Sequence, residues 1–407
     1  MNELAWGTNT DLDETQFYNR TNDIKFISDL LKSSQYGTSP SILLTGIRGV
    51  GKSALMKKIQ KEFKDKNYLV AYIDLSSSNA YQTGKFTRKS IIELIYDQII
   101  KECKEIGINT IDKKIEKYIK THNIHLREIT HIKGYPIPFL WTEENYKKLA
   151  NFVMELPQYI YDEYKEHING VFIFFDEFQI IKELNNQLTD FLWYMRSFIQ
   201  KQNNVSYIFS GSMSVKDNLI EEIAGANGAF GGRILTIEIK PFSYETTKNY
   251  LKEKAEYLKF TDDGFEQFYN CTKGIPFYIN IFGNLLPKNT NLDSKTIKEN
   301  FNKFLPILAM HFTNLWFRLS LQEQKIITTL LDTSLKRSKI AENIEVTSGA
   351  IGRSLNKLQD NGLIEREDDK YYVPNSIFKA WLKNEYKIKW VYPYKSTWKI
   401  KYFSEFQ

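Results

Sequence analysis

The 407-residue sequence predicts an α/β fold: a doubly wound, mostly parallel sheet, then a helical bundle, then a winged helix-turn-helix. Three observations carry that expectation. Apolar strand-like runs alternate with helical periodicity from Ile42 to Ile239, the pattern of a parallel sheet covered on both faces. From Ser243 only helical patterns follow. From Ser320 to about Trp381 the pattern becomes three short helices and a hairpin.

Residues up to about Glu14 are polar and read as loose. A helix follows, with Ile24, Ile27, Leu30 and Leu31 on one face. The apolar run Ile42 to Leu44 then reads as a short buried strand. It opens into Gly46-Ile47-Arg48-Gly49-Val50-Gly51-Lys52-Ser53, which fits G-x-x-x-x-G-K-[ST]. Glycines at this spacing let the backbone wrap a phosphate chain with its N–H groups inward. Lys52 reaches the β- and γ-phosphates, and the Ser53 hydroxyl ligates Mg²⁺. The helix from Ala54 to Phe63 offers its N-terminus to the same anion.

Tyr68 to Asp74 reads as a second buried strand, and Lys89 to Glu105 as a helix with a wide isoleucine-rich stripe. The stretch from there to the next strand is longer than a minimal crossover needs, so residues 107–141 read as an insertion. His122, His125 and His131 lie in it, but no cysteine or carboxylate set completes a metal site. Its apolar knot, Tyr135 to Trp141, is either a cap on the core or a docking element.

Thr142 to His167 reads as a long helix stopped by Gly170. Val171 to Phe175 is then a continuous apolar run, as a central parallel strand requires. It ends in Asp176-Glu177. Beside a phosphate loop, Asp176 can hold Mg²⁺ through water and Glu177 can orient and activate the attacking water. After a helix from about Asn186 to Lys201, the strand Val205 to Phe209 ends in Ser210-Gly211-Ser212. Ser212 there is either a γ-phosphate sensor or part of a plain turn. The glycine-rich stretch 224–232 suggests flexibility near a nucleotide or subunit edge. Arg233 opens the strand Ile234 to Ile239, which Pro241 closes.

Four helical patterns make up the bundle, two of them separated by Lys273-Gly-Ile-Pro276. In the winged helix-turn-helix, the third helix (Ser348 to Asn361) exposes Arg353, Asn356 and Lys357. These reach DNA phosphates or base edges, or the domain only packs proteins together. After Trp381, Lys383, Lys387, Lys389, Lys395, Lys399 and Lys401 interleave with Tyr386, Trp390, Tyr392, Tyr394 and Trp398. That suits a nucleic-acid backbone, or equally an edge strand kept soluble by lysines. The expected boundaries are residues 1–240 for the core with the insertion, 241–317 for a helical lid, 318–382 for the winged helix and 383–407 for a basic aromatic tail.

Hydrophobic residues make up 42% of the chain, enough for substantial cores, and the formal charge is only +6. Cys103 and Cys271 form no disulfide framework, and no signal-peptide or membrane-spanning pattern is present. A cytoplasmic protein is expected.

With these pieces in order, the chain resembles the archaeal-type P-loop ATPases, relatives of AAA+ proteins and STAND signalling NTPases. Phe17-Tyr-Asn-Arg20 resembles the family's N-terminal box near the adenine. Phe174 to Gln179 resembles its extended Walker B segment, and Gly211-Ser212 its sensor step. Lys273 to Pro276 resembles the Gly-x-Pro turn near the nucleotide phosphates, and Gly232-Arg233-Ile234 a Gly-Arg step. The resemblance implies an AAA+-like fold, with ATP and Mg²⁺ as cofactors. Arg20 and Pro276 then join residues 46–54 in holding nucleotide, and Lys52, Glu177, Ser212 and Arg233 form the catalytic set. Arg233 would be an arginine finger toward a neighbouring subunit of a homo-oligomer, or a structural ion pair. The expected role is an ATP-driven switch or motor acting on DNA. The alternative is a signalling or defence ATPase with a protein partner. Some relatives carry a nuclease-like C-terminal domain, but the basic aromatic tail here implies no nuclease, and the insertion is not a family constant.

Overall fold

The computed structural model describes residues 4–6, 17–108, 129–132, 135–138, 143–213 and 218–395. At its centre is a five-stranded parallel sheet. The strands are β1 (Ser41–Thr45), β2 (Leu69–Asp74), β5 (Val171–Asp176), β6 (Val205–Ser210) and β7 (Ile234–Glu238), in the order β2-β5-β6-β1-β7. Between β2 and β5 in sequence, β3 (Ile129–Ile132) and β4 (Tyr135–Pro138) form a separate antiparallel pair inside the insertion. His131 lies on β3, while His122, His125 and Trp141 fall outside the described residues.

Why the central strands are apolar throughout follows from the two faces they serve. Ile42, Leu44, Phe172, Phe174 and Ile208 pack with the helices Thr21–Lys32 and Lys52–Lys64. Their neighbours Leu43, Ile173, Phe175, Tyr207 and Phe209 pack on the opposite face with Arg88–Glu105, Glu143–Tyr164 and Leu188–Ile199. With side chains alternating across a sheet buried on both sides, a strand needs hydrophobes at every position. The order places β6 between β1 and β5, so the loops leaving these three strands lie side by side at one edge.

Three local expectations are corrected. Leu4 and Ala5 are buried rather than loose: Leu4 packs in the lid core, and Asn284 donates its amide to the Leu4 carbonyl at 3.0 Å. The helix expected from about Asn186 starts at Leu188, and the stretch before it, Phe178–Gln187, is tight 3₁₀ backbone. The glycine-rich stretch is folded onto the core. Ala229 and Phe230 are buried, their N–H groups bond Glu222 and Ile223, and the Arg196 guanidinium donates to Ala229. The glycines serve closeness there: a Cβ at Gly228 would lie 2.5 Å from the Glu221 carbonyl oxygen.

After β7 come the helices Tyr244–Lys254, Asp262–Thr272, Pro276–Leu285, Ser294–Leu308 and Met310–Arg318. The helix Leu321–Thr329 follows, then β10 (Leu335–Lys336), helices Arg337–Asn343 and Gly352–Asp360, and the pair β11 (Glu365–Glu367) and β12 (Lys370–Tyr372). These last strands form an antiparallel sheet in the order β10-β12-β11. The short pair β8 (Lys259–Phe260) and β9 (Asn291–Leu292) braces the first helices. One hydrophobic core runs through both C-terminal parts. Trp316 is fully buried, meets Phe378 and Trp381 edge-on, stacks with Tyr394, and donates its indole N–H to the Pro393 carbonyl at 2.7 Å. Among the described residues no helix is long and apolar enough to cross a membrane.

Candidate ATP site

Gly46 continues β1 at the carboxyl edge of the sheet. Its φ of +137°, and the Ile239 carbonyl oxygen 2.5 Å from where a Cβ would sit, leave room only for glycine. Lys52 starts the following helix, and its buried ammonium donates to the Gly46 carbonyl at 2.7 Å and the Ile47 carbonyl at 3.2 Å. Burial lowers the Lys52 pKa to about 8; Glu177 and Asp176 oppose that shift and Arg48 adds to it. Residues distant in sequence therefore share one electrostatic neighbourhood around this amine.

Asp176 is buried at the end of β5. One carboxylate oxygen accepts the Glu177 N–H at 3.0 Å, and the other accepts the Tyr72 hydroxyl at 2.5 Å. Tyr72 comes from β2, the neighbouring strand, and Ser53 lies near enough to its hydroxyl to temper the shift in its pKa. Burial and the Asp176 charge raise the phenol pKa far above its ordinary value, so it stays protonated. The Lys57 ammonium lies 4.0 Å over its ring. Ser53 and Asp176, the two expected metal-holding residues, thus both lie in the neighbourhood of the Tyr72 hydroxyl. A hydroxyl and a single carboxylate are the hard oxygen donors that Mg²⁺ uses together with phosphates.

Glu177 adopts a left-handed backbone, φ 52° and ψ 38°. Its carboxylate accepts a hydrogen bond from the Gln179 side-chain amide, and Gln179 in turn accepts the Ser212 N–H at 3.0 Å. One residue on, the Met213 carbonyl accepts the Gly46 N–H at 2.9 Å. The loops after β1, β6 and β5 are therefore joined in a row.

The helical part after β7 touches the loop. Pro276 opens the helix Pro276–Leu285, and the Phe277 N–H donates to the Gly49 carbonyl at 3.2 Å. A Cβ on Gly49 would lie 2.7 Å from the Phe277 Cβ. Arg48 lies close to Tyr278 and His311: burial raises the Tyr278 pKa to about 12 against the Arg48 charge, and burial with that charge lowers the His311 pKa to about 4.

The structure brings together residues 46–54, Asp176, Glu177, Ser212 and, through Phe277, the Pro276 turn. Of the other two expected site residues, Arg20 touches the loop and Arg233 stands apart. Arg20 bonds the Val50 carbonyl at 3.0 Å and the Lys240 carbonyl at 2.7 Å, pairs with Asp23 and stacks on Phe242, so its guanidinium braces the loop through protein groups. Arg233 is exposed at the start of β7. Since Ile234 pairs with Ser41, it lies at the opposite edge of the sheet from Gly46. Further away, Arg353 and Asn356 are exposed, but Lys357 pairs with the buried Glu323 at 2.9 Å. Lys383 and Lys389 pair with Asp332 and Glu385, and Tyr392 and Tyr394 pack on the C-terminal core; residues 396–407 lie outside the described residues. Tyr72, Gln179 and Phe277 were not singled out from the sequence. Only Gln179 carried a signal, as the end of the Walker B segment.

A five-stranded parallel sheet whose phosphate loop, lysine and strand-end carboxylates converge defines a P-loop ATPase. The chain belongs to the family of ATPase domains found predominantly in Archaea, whose model matches residues 17–282. An uncharacterized ATP-binding protein of Methanocaldococcus jannaschii is 23% identical over 269 residues, 65% of this chain and 70% of that protein. The Walker-type ATPase of Pyrococcus abyssi has a similar fold, with a TM-score of 0.60 at 18% identity over 91% of this chain and 98% of its own. The protein is accordingly an ATP-binding, ATP-hydrolysing enzyme.

Proposed function

We propose that the chain is a Mg²⁺-dependent switch of the AAA+/STAND type, in which a lid reports nucleotide state to the C-terminal unit. The observation that carries this is the Phe277 N–H bond to the Gly49 carbonyl: the lid touches the loop that must reshape around phosphate. On ATP binding, the Lys52 amine exchanges the Gly46 and Ile47 carbonyls for the β- and γ-phosphates. Mg²⁺, when bound at Ser53 and Asp176, would neutralise charge building on the phosphates. Glu177 takes the proton of the attacking water. Ser212 would read the γ-phosphate, which its hydrogen bond to the Gln179 side chain beside Glu177 supports.

The unit after Ser320 reads as a winged helix. Arg353 and Asn356 are placed to meet DNA phosphates. The pairing of Lys357 with Glu323 favours a second reading, in which the same helix docks a protein in a signalling or defence role. Arg233 reaches a nucleotide only across a subunit boundary, which requires a homo-oligomer.

ATP turnover and particle mass, measured together with and without a DNA duplex, test these readings. Glu177→Gln should keep ATP binding and lower turnover by about 10²–10⁴-fold. Binding of duplex that weakens with salt supports the DNA role; no binding at low salt leaves the protein partner.

A further inference from the structure

We infer that Gln179 is a positioning residue: its side-chain amide ties the base, Glu177, to the loop after β6, so that base and sensor loop hold one geometry. The inference rests on Glu177 being the base. Four features of the molecule support it.

The amide is used at both ends. Its nitrogen donates to the Glu177 carboxylate, and its oxygen accepts the Ser212 N–H. A carboxylate only accepts and a backbone N–H only donates, so a single orientation of the amide satisfies both. Next, room has been made for it. A Cβ on Gly211 would lie 2.5 Å from the Gln179 side-chain oxygen and 3.2 Å from its backbone nitrogen. Third, Glu177 is in a left-handed conformation that is strained for a non-glycine residue and persists only when its surroundings hold it. The Ile180 N–H closes the turn onto the Glu177 carbonyl at 3.0 Å, and Gln179 holds the side chain. Fourth, the held loop is the one whose Met213 carbonyl grips Gly46, so the phosphate loop, the sensor step and the base form one hydrogen-bonded row.

This row does two things. It takes one carboxylate oxygen of Glu177, leaving the other to accept the water proton. It also makes displacement of the sensor step by a γ-phosphate displace the base. Leucine, similar in size, removes both bonds. Asparagine, one methylene shorter, cannot span the two partners.

The test compares wild type, Gln179→Leu, Glu177→Gln and the double variant in the full chain. ATP affinity is measured by equilibrium titration, kcat and KM by steady-state turnover, and folding by thermal melts. Gln179→Leu should lower kcat about 10- to 100-fold, the scale of a catalytic group misplaced by about an ångström, with ATP affinity unchanged. In the Glu177→Gln background it should add no further loss, because both changes act on one step. Gly211→Ala, which crowds the amide without removing it, should reproduce the kcat loss and keeps the test valid if Gln179→Leu folds poorly. Wild-type kcat in both single variants overturns the inference, as does a loss that persists undiminished in the Glu177→Gln background. Wild-type turnover by Glu177→Gln itself overturns the base assignment and the inference together, a pattern distinct from failure of Gln179 alone.

Discussion

Tyr72 is the residue whose chemistry is most exposed to a single substitution. Its hydroxyl donates to Asp176, the proposed Mg²⁺-side carboxylate, and so fixes the direction of that carboxylate. Outer partners of this kind typically account for about 10- to 100-fold in metal affinity. Tyr72→Phe keeps the ring and the Lys57 contact and deletes only the oxygen. It should raise the Mg²⁺ concentration needed for tight nucleotide binding by about tenfold, while binding measured with chelator stays unchanged. Titration of a fluorescent nucleotide at several Mg²⁺ concentrations checks this, and an unshifted Mg²⁺ midpoint would refute it. Arg20 acts at the same scale by a different route. Its guanidinium satisfies two backbone carbonyls next to the loop, work that lysine cannot copy with a point charge.

Between elements, the lid helix and the phosphate loop meet at Gly49, and the contact has no slack. Gly49 has a φ of +83°, and an added Cβ would crowd Phe277. Gly49→Ala should lower the stability of the nucleotide-free protein by about 1–3 kcal/mol, read from denaturant midpoints. The lid also brings His311 near Arg48, and burial followed by that charge lowers the histidine pKa to about 4. An unfolded histidine titrates near 6.5, so between about pH 6.5 and 4 the unfolded chain binds the proton and the folded one resists it. The His311 contribution is thus intact above about pH 6.5 and is lost progressively as pH falls toward 4. His311→Asn should flatten that part of the melting-temperature profile; an identical slope in wild type and variant would remove the assignment. Elements of this kind were largely legible in the sequence. The loop helix and the Asp176 strand fell where glycine spacing and apolar runs put them. The irregular turn at Phe178–Gln187 did not, because its shape depends on Glu177 turning left-handed and on Gln179 reaching a different strand.

Across the whole molecule, the two C-terminal parts share one core, so the boundary expected near residue 318 is not a mechanical joint. Trp316→Ala should destabilise the protein by about 3–5 kcal/mol and loosen the lid and the last unit together, which hydrogen exchange would register on both sides at once. Protection lost on only one side would show two separate bodies. The amino-acid sequence by itself determined the parallel sheet, the phosphate loop, the metal-side carboxylate and the order of the parts. Those features depend on glycine spacing and apolar periodicity within short stretches of chain. Only the tertiary structure decided that Tyr72 holds Asp176, that Gln179 joins Glu177 to Ser212, and that Arg233 lies at the far edge of the sheet. Each depends on which strands lie side by side, and that order is set by packing between segments far apart in the chain.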